Sequence, residues 1–149
     1  MKGNLSKIEP TSFDTELIKS FESNQDLRIL NPDSYFSLIE EKLEVAGSMA
    51  VGGRLIFEKS KDDSIESWTQ SVTEVLLQNF IDNDIEINSE VVIVGDNMFN
   101  YAYNISASLF LEKVWDFFSI PQDTYIIADN NTFFQHTYED ELYVFKATK

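Results

Sequence analysis

The chain holds one histidine, His136, and no cysteine. Thiol catalysis, thiolate metal sites and disulfides are therefore closed to it. A catalytic histidine needs a nucleophile or a carboxylate beside it in space. His136 alternates with Phe134 and Tyr138 on one face of an expected strand, and reads as a structural or surface residue. Asp82-Asn83-Asp84-Ile85-Glu86 sets acids at alternating positions, as a calcium loop does. The sixth position of such a loop needs glycine and the twelfth a glutamate; here they are Ile87 and Ile93, so the EF-hand reading fails. Asp62-Asp63 and Glu139-Asp140-Glu141 are adjacent acids at expected turns. Acid–base work by paired carboxylates needs a cleft that raises one pKa, whereas acids at polar turns stay ionised. Trp68, Trp115 and the six tyrosines would make a stacking platform for nucleic acid only beside a basic groove, and the composition does not offer one. No glycine-rich phosphate loop is present. These absences point away from an enzyme, a metal or a cofactor, and toward binding.

Charge says what kind of binding. The chain carries 26 Asp and Glu against 11 Lys and Arg, a formal net charge of −15 on 149 residues. It is also 43% hydrophobic with 13% aromatics, too apolar for a disordered acidic tail. A folded core under a negative surface repels nucleic acid and anionic membrane, and draws basic partners in. The charge is uneven: residues 60–90 hold eight acids and one base, Lys61, a net of −7. Such asymmetry points to an oppositely charged partner. The length is that of one domain, 1–149. The start of the chain lacks an apolar signal stretch and the apolar runs are too short for a membrane span, so a cytoplasmic protein is expected.

The elements that must position these groups follow from periodicity. Phe13, Leu17, Ile18 and Phe21 predict a helix over 12–23, capped by Thr11 or Ser12. Residues 24–30 read as a connection. Asn31-Pro32 opens a second helix with Tyr35, Phe36, Ile39 and Leu43 inward. Residues 49–58 read as a strand interrupted at Gly52-Gly53. A third helix runs from a cap at Asp63, with Glu66 in capping-box spacing, to 82; Ile65, Trp68, Val72, Val75, Leu76 and Phe80 form its stripe. Val91 to Val94 is a buried strand, and residues 99–105 alternate as a half-exposed one. Ser106 caps a fourth helix that runs to about 119 and stops before Pro121. Residues 124–128 and 132–138 form a hairpin about Asn130-Asn131, and 142–146 is the last strand. The sum is an α+β fold: a mainly antiparallel sheet of five to six strands on one side and about four helices on the other.

The segment Val91-Val92-Ile93-Val94-Gly95-Asp96-Asn97 leads through an aromatic stretch into a helix. That helix ends in Phe117-Phe118-Ser119-Ile120-Pro121-Gln122, then Asp123-Thr124-Tyr125-Ile126-Ile127. Over roughly residues 90–146, this resembles the small acidic immunity proteins of bacterial polymorphic toxin systems, particularly those of contact-dependent growth inhibition. The resemblance implies a protein that binds a cognate toxin domain, commonly a basic nuclease, and covers its active site. Two other classes suit the same charge: an acidic nucleic-acid mimic of the phage anti-defence kind, and a non-catalytic adaptor.

Two groups of acids are expected to meet the partner. One is Asp62, Asp63 and Glu66 at the start of the third helix. The other is Asp96, Asp129, Glu139, Asp140 and Glu141 in loops at strand ends, with Tyr101 and Tyr138 as aromatic anchors. Turns at one end of neighbouring strands can converge, so the second group could form one patch, and it is favoured because it lies in the half that carries the resemblance.

Overall fold

The computed structural model describes residues 8–21, 26–35, 37, 53–59, 62–128 and 132–146. Seven strands form one sheet in the order β1-β4-β3-β5-β6-β7-β2. They are β1 (Leu27–Leu30), β2 (Gly53–Glu58), β3 (Glu90–Gly95), β4 (Ala102–Ser106), β5 (Thr124–Ile127), β6 (Thr132–His136) and β7 (Glu141–Lys146). Each neighbouring pair is antiparallel. The described helices are α1 (Ser12–Lys19), α2 (Ile65–Asp82), α3 (Ala107–Glu112) and α4 (Val114–Phe118); residues 33–35 are also helical. The α+β class is as the sequence indicates, with one strand more than the range expected.

The added strand is β1, in a stretch read as a connection. Four residues are too short to display an alternation of their own. Pairing with β4, from Leu27 opposite Ile105 to Leu30 opposite Ala102, is what makes it a strand. In β2, Gly53 pairs regularly with Phe145, and the irregularity falls at Leu55–Phe57, not at Gly53. Residues 49–52 and most of the expected second helix lie outside the described residues; Asn31 does accept from the Asp33 amide at 2.9 Å, as a helix-opening residue should.

Ser64, one residue later than expected, caps α2 by accepting from the Ser67 amide. Trp68, Val72, Leu76 and Phe80 form its buried stripe, while Ile65 lies 54% exposed and outside it. The single helix expected over 106–119 is two. Ser106 caps α3 as foreseen, but Lys113 leaves helical geometry (φ −112°, ψ 21°). Phe110, Val114, Phe117 and Phe118 all reach the core, at the i, i+4, i+7, i+8 spacing of one helical face, so the stripe runs through the break. Lys113 uses the bend: its Nζ donates to the Ser20 carbonyl at 2.8 Å and lies over the Phe21 ring.

Both faces of the sheet bury apolar side chains, so the expected arrangement of a sheet with helices on one side alone is incomplete. Ile93, Tyr103, Ile105, Ile126, Phe134 and Val144 pack under the helices. Val94, Ala102, Tyr125, Phe133 and Phe145 form a second cluster on the reverse face, with Tyr35 packed against it. This is why β4 is not half-exposed: Ala102 and Tyr103 point to opposite faces and both are fully buried.

Asp14 is the one carboxylate buried among the described residues. It accepts from the Thr11 amide at 2.9 Å, the Asn100 amide at 2.8 Å and the Tyr103 hydroxyl at 2.5 Å. Thr11 returns the contact, accepting from the Asp14 amide at 3.0 Å while its hydroxyl donates to the Met98 carbonyl at 2.6 Å. A helix cap thus doubles as a clamp between α1 and the start of β4. Burial, the hydrogen bond to Asp14 and its charge hold the Tyr103 phenol far above its ordinary pKa, so it stays a donor.

Asp14→Ala leaves buried donors without an acceptor, at about 1–3 kcal/mol each. Urea unfolding should show a loss of about 3 kcal/mol or more. Trp68→Ala should cost about 3–5 kcal/mol in the same assay. An Asp14 variant as stable as the parent would show that α1 is not held by this contact.

Candidate functional site

The antiparallel ladder sends alternate strand ends to one side of the molecule. Gly95 pairs with Thr124, Thr124 with His136, His136 with Leu142, and Glu141 with Glu58. The residues just beyond these pairs are therefore neighbours: Asp96 after β3, Asp123 before β5, Thr137 to Asp140 between β6 and β7, and Lys59 after β2.

Hydrogen bonds lock these turns together. The Asp96 amide donates to the Asp123 carbonyl at 3.0 Å, and the Asp123 amide to Asp96 Oδ1 at 3.1 Å. Asp123 Oδ1 accepts from the Tyr138 amide at 2.9 Å, and its Oδ2 from Gln135 Nε2 at 3.2 Å. Gln135 Nε2 also donates to the Tyr125 hydroxyl at 3.2 Å. Asp140 takes positive φ (62°), a conformation that aspartate tolerates better than most side chains. Its carbonyl accepts from the Lys59 amide at 3.1 Å, which ties the β2 exit to the β6–β7 turn. Its Oδ1 lies 3.0 Å from Nε2 of the buried His136. The His136 ring stacks on Phe118 at 4.0 Å and sits 5.6 Å from the Trp68 ring. His136 is therefore a core residue anchoring the turn, as its structural reading has it.

The ring contact with Trp68 also locates the first turn of α2. Asp62, Asp63 and Glu66 lie just after β2 and at the N-terminus of α2, where negative charge complements the helix dipole. The two acidic groups distinguished in the sequence thus belong to the same end of the sheet. Glu58, Asp96, Asp123, Glu139, Asp140 and Glu141 gather at these strand ends, with Lys59 among them, and Asp62, Asp63 and Glu66 follow β2 toward the same end. The crowding is visible in the titrating groups. Burial first, then the nearby Asp123 charge, raises the Asp96 carboxyl, although backbone hydrogen bonds oppose the rise. Tyr125 is pushed up to about 12 by burial and the charges of Asp123 and Asp96. Tyr143 is raised by burial and by Glu141, Glu58 and Glu139.

Tyr138 stands 67% exposed amid these acids, where an anchor was expected. Tyr101 is the other expected anchor. It is half-buried against the edge of Tyr103, and its hydroxyl donates to the Ile8 carbonyl at 3.2 Å. Asp129 lies outside the described residues; the flanking strand ends, Ile127 and Thr132, are the ends remote from Asp96 and Asp123. The acids of residues 60–90 do not act as one block either. Glu90 opposes Ser106 at the far end of the sheet, where it pairs with Arg28 at 2.9 Å. Asp123 and Glu58 were not singled out in the sequence. Asp123 carries a signal there, as the residue between Gln122 and a strand; Glu58 gains its place only through the β2–β7 pairing.

Gln122 props this end from beneath. Its Oε1 lies within hydrogen-bond reach of the Asn97, Met98 and Phe99 amides, closest to Met98 at 2.7 Å. Its amide rests against Gly95, where a Cβ would push the end of the Gln122 side chain aside.

Among the described residues, no group of three or more His, Asp or Glu is placed to hold a metal ion. Nor, among these residues, is any helix long and apolar enough to cross a membrane. Comparison with protein-family models, with curated proteins and with solved structures yields no match.

The raised Asp96 carboxyl sets a pH prediction. A carboxyl whose pKa is higher folded than unfolded favours folding while protonated, and its ionisation lowers stability as pH rises through that range. Asp96→Asn keeps the acceptor for the Asp123 amide and removes the charge. Thermal melts should put the variant at or above the parent at neutral pH, with the difference vanishing below the carboxylate range. A variant less stable than the parent at neutral pH would mean the charge itself holds the turn.

Proposed function

We propose that this chain is a binding protein whose acidic sheet end captures a basic protein partner, acting as an immunity protein that covers the active site or substrate groove of a cognate toxin domain. The observation that carries this reading is the convergence of carboxylates from neighbouring strand ends about the exposed Tyr138. Hydrogen bonds between the turns hold the charges in place before any partner arrives, so little ordering cost is left for binding. An aromatic ring among carboxylates suits guanidinium and ammonium groups, which bond the acids and lie on the ring face. A nuclease groove built to hold phosphates presents such groups. The resemblance of residues 90–146 to immunity proteins of contact-dependent growth inhibition points the same way.

Electrostatic steering toward such a groove raises association rates toward 10⁸–10⁹ per molar per second at low salt. The test is co-expression of this chain with the toxin domain encoded beside it, scored by survival, followed by binding measurements on the purified pair. Glu58→Lys, Glu66→Lys and Glu139→Lys together reverse exposed charges and leave Asp140 itself in place. The triple variant should melt like the parent and capture the partner at least about tenfold more slowly, since rim charges act chiefly on the on-rate. Association by the parent should also slow steeply as salt shortens the screening length to roughly 10 Å at 0.1 M. Unaltered rates for the variant and across the salt series would remove this end of the sheet from the interface.

A further inference from the structure

Four of the five buried polar side-chain atoms that lack a partner among the described residues fall in one row on the helix-facing side of the sheet. They are Trp68 Nε1, Gln122 Nε2, Thr124 Oγ1 and His136 Nδ1. Their residues are between 0% and 3% exposed. The row follows the ladder. Gln122 lies on Gly95, Gly95 pairs with Thr124, and Thr124 pairs with His136. Trp68 comes down on the row from α2, 5.6 Å from the His136 ring, and Phe118 closes it with a stacked ring at 4.0 Å.

The chemistry of the four atoms is complementary. The Trp68 indole and the Gln122 amide nitrogen can only donate, and the Thr124 hydroxyl can do either. His136 is set by its other nitrogen. Nε2 faces Asp140 Oδ1 at 3.0 Å, and a carboxylate accepts, so Nε2 carries a proton; in the tautomer with that single proton, Nδ1 is an acceptor. Two donors, one acceptor and one hydroxyl free to complete the set are what a water molecule requires. A cation has no use for two N–H donors. An anion finds an acceptor at Nδ1 and lies beneath a strongly negative surface. Leaving four such groups unpaired is costly, whereas a buried water characteristically makes about three hydrogen bonds.

We propose that Trp68, Gln122, Thr124 and His136 hold one internal water molecule between the helices and the sheet. This water joins two residues that each support a turn of the acidic end: Gln122 gathers the amides of residues 97–99, and His136 holds Asp140. The site is independent of the partner reading and can stand or fall without it.

The test uses the full chain in solution. Water–protein cross-relaxation should show a long-lived water at the Trp68 indole proton, and the ring nitrogen shifts of His136 should report a neutral ring protonated at Nε2. Thr124→Val, close in shape to the parent, should abolish or strongly weaken the water cross-peak at Trp68 while the fold-wide spectrum persists. Absence of any slow water at Trp68 in the parent would overturn the proposal, and that measurement needs no variant. An indole resonance that shifts on replacing sulfate with chloride would overturn it in favour of a bound anion. A His136 ring protonated at both nitrogens at neutral pH would overturn the donor–acceptor match, and an unchanged cross-peak in Thr124→Val would remove Thr124 from the site.

Discussion

The ladder β3-β5-β6-β7-β2 decides where the charge of this molecule goes. Antiparallel pairing with short turns places every second connection on the same end of the sheet. Here those connections are the acidic ones. Asp96, Asp123, Glu139, Asp140 and Glu141 are spread over some 45 residues of chain, yet the register from Gly95–Thr124 to Glu141–Glu58 puts them side by side. A slip of one residue in any pair would turn the buried face outward. The acidic end is therefore as firmly specified as the core beneath it.

That core tolerates a single described carboxylate, Asp14, and employs it where three donors converge. Burying a charge without such partners is costly enough that groups neutralise instead. The remaining described acids are driven to the surface, and most sit at strand or helix ends. Like charges then crowd, as Glu58 directly opposite Glu141 illustrates, and like charges directly opposite one another weaken a strand pair. A surface arranged at that cost is readily understood if an oppositely charged partner relieves it.

The same end shows how a turn can be rigid without being buried. Asp140 is in the left-handed region, holds the Lys59 amide through its carbonyl, and reaches inward to His136. His136 in turn is fixed by Phe118 and Trp68. Core packing is thus transmitted to an exposed acidic loop through one imidazole. Asp140 is consequently a poor choice for a charge-reversal probe of binding, since its loss would disturb the core as well as the surface.

Much of this was legible in the chain itself. Composition alone indicates a folded, strongly acidic protein without thiol chemistry, and periodicity locates α2, β3, the β5–β6 hairpin and β7 to within a residue or two. Tyr138 and the acids of the 139–141 turn stand out by type and place. The sequence could not show β1, because four residues have no period and the strand exists through β4. Nor could it show the break at Lys113, since the apolar stripe keeps its helical spacing straight through it. It suggested an anchor in Tyr101, whose alternation with Phe99 and Tyr103 says nothing of the Ile8 carbonyl that occupies its hydroxyl. Above all it treated Asp62, Asp63 and Glu66 as rivals of the loop acids. Only the β2–β7 pairing, which bridges more than eighty residues of chain, brings the start of α2 to the same end of the sheet. Local sequence determines which residues are acidic and which segments fold; long-range strand register, set by the mutual burial of both sheet faces, decides which acids become neighbours.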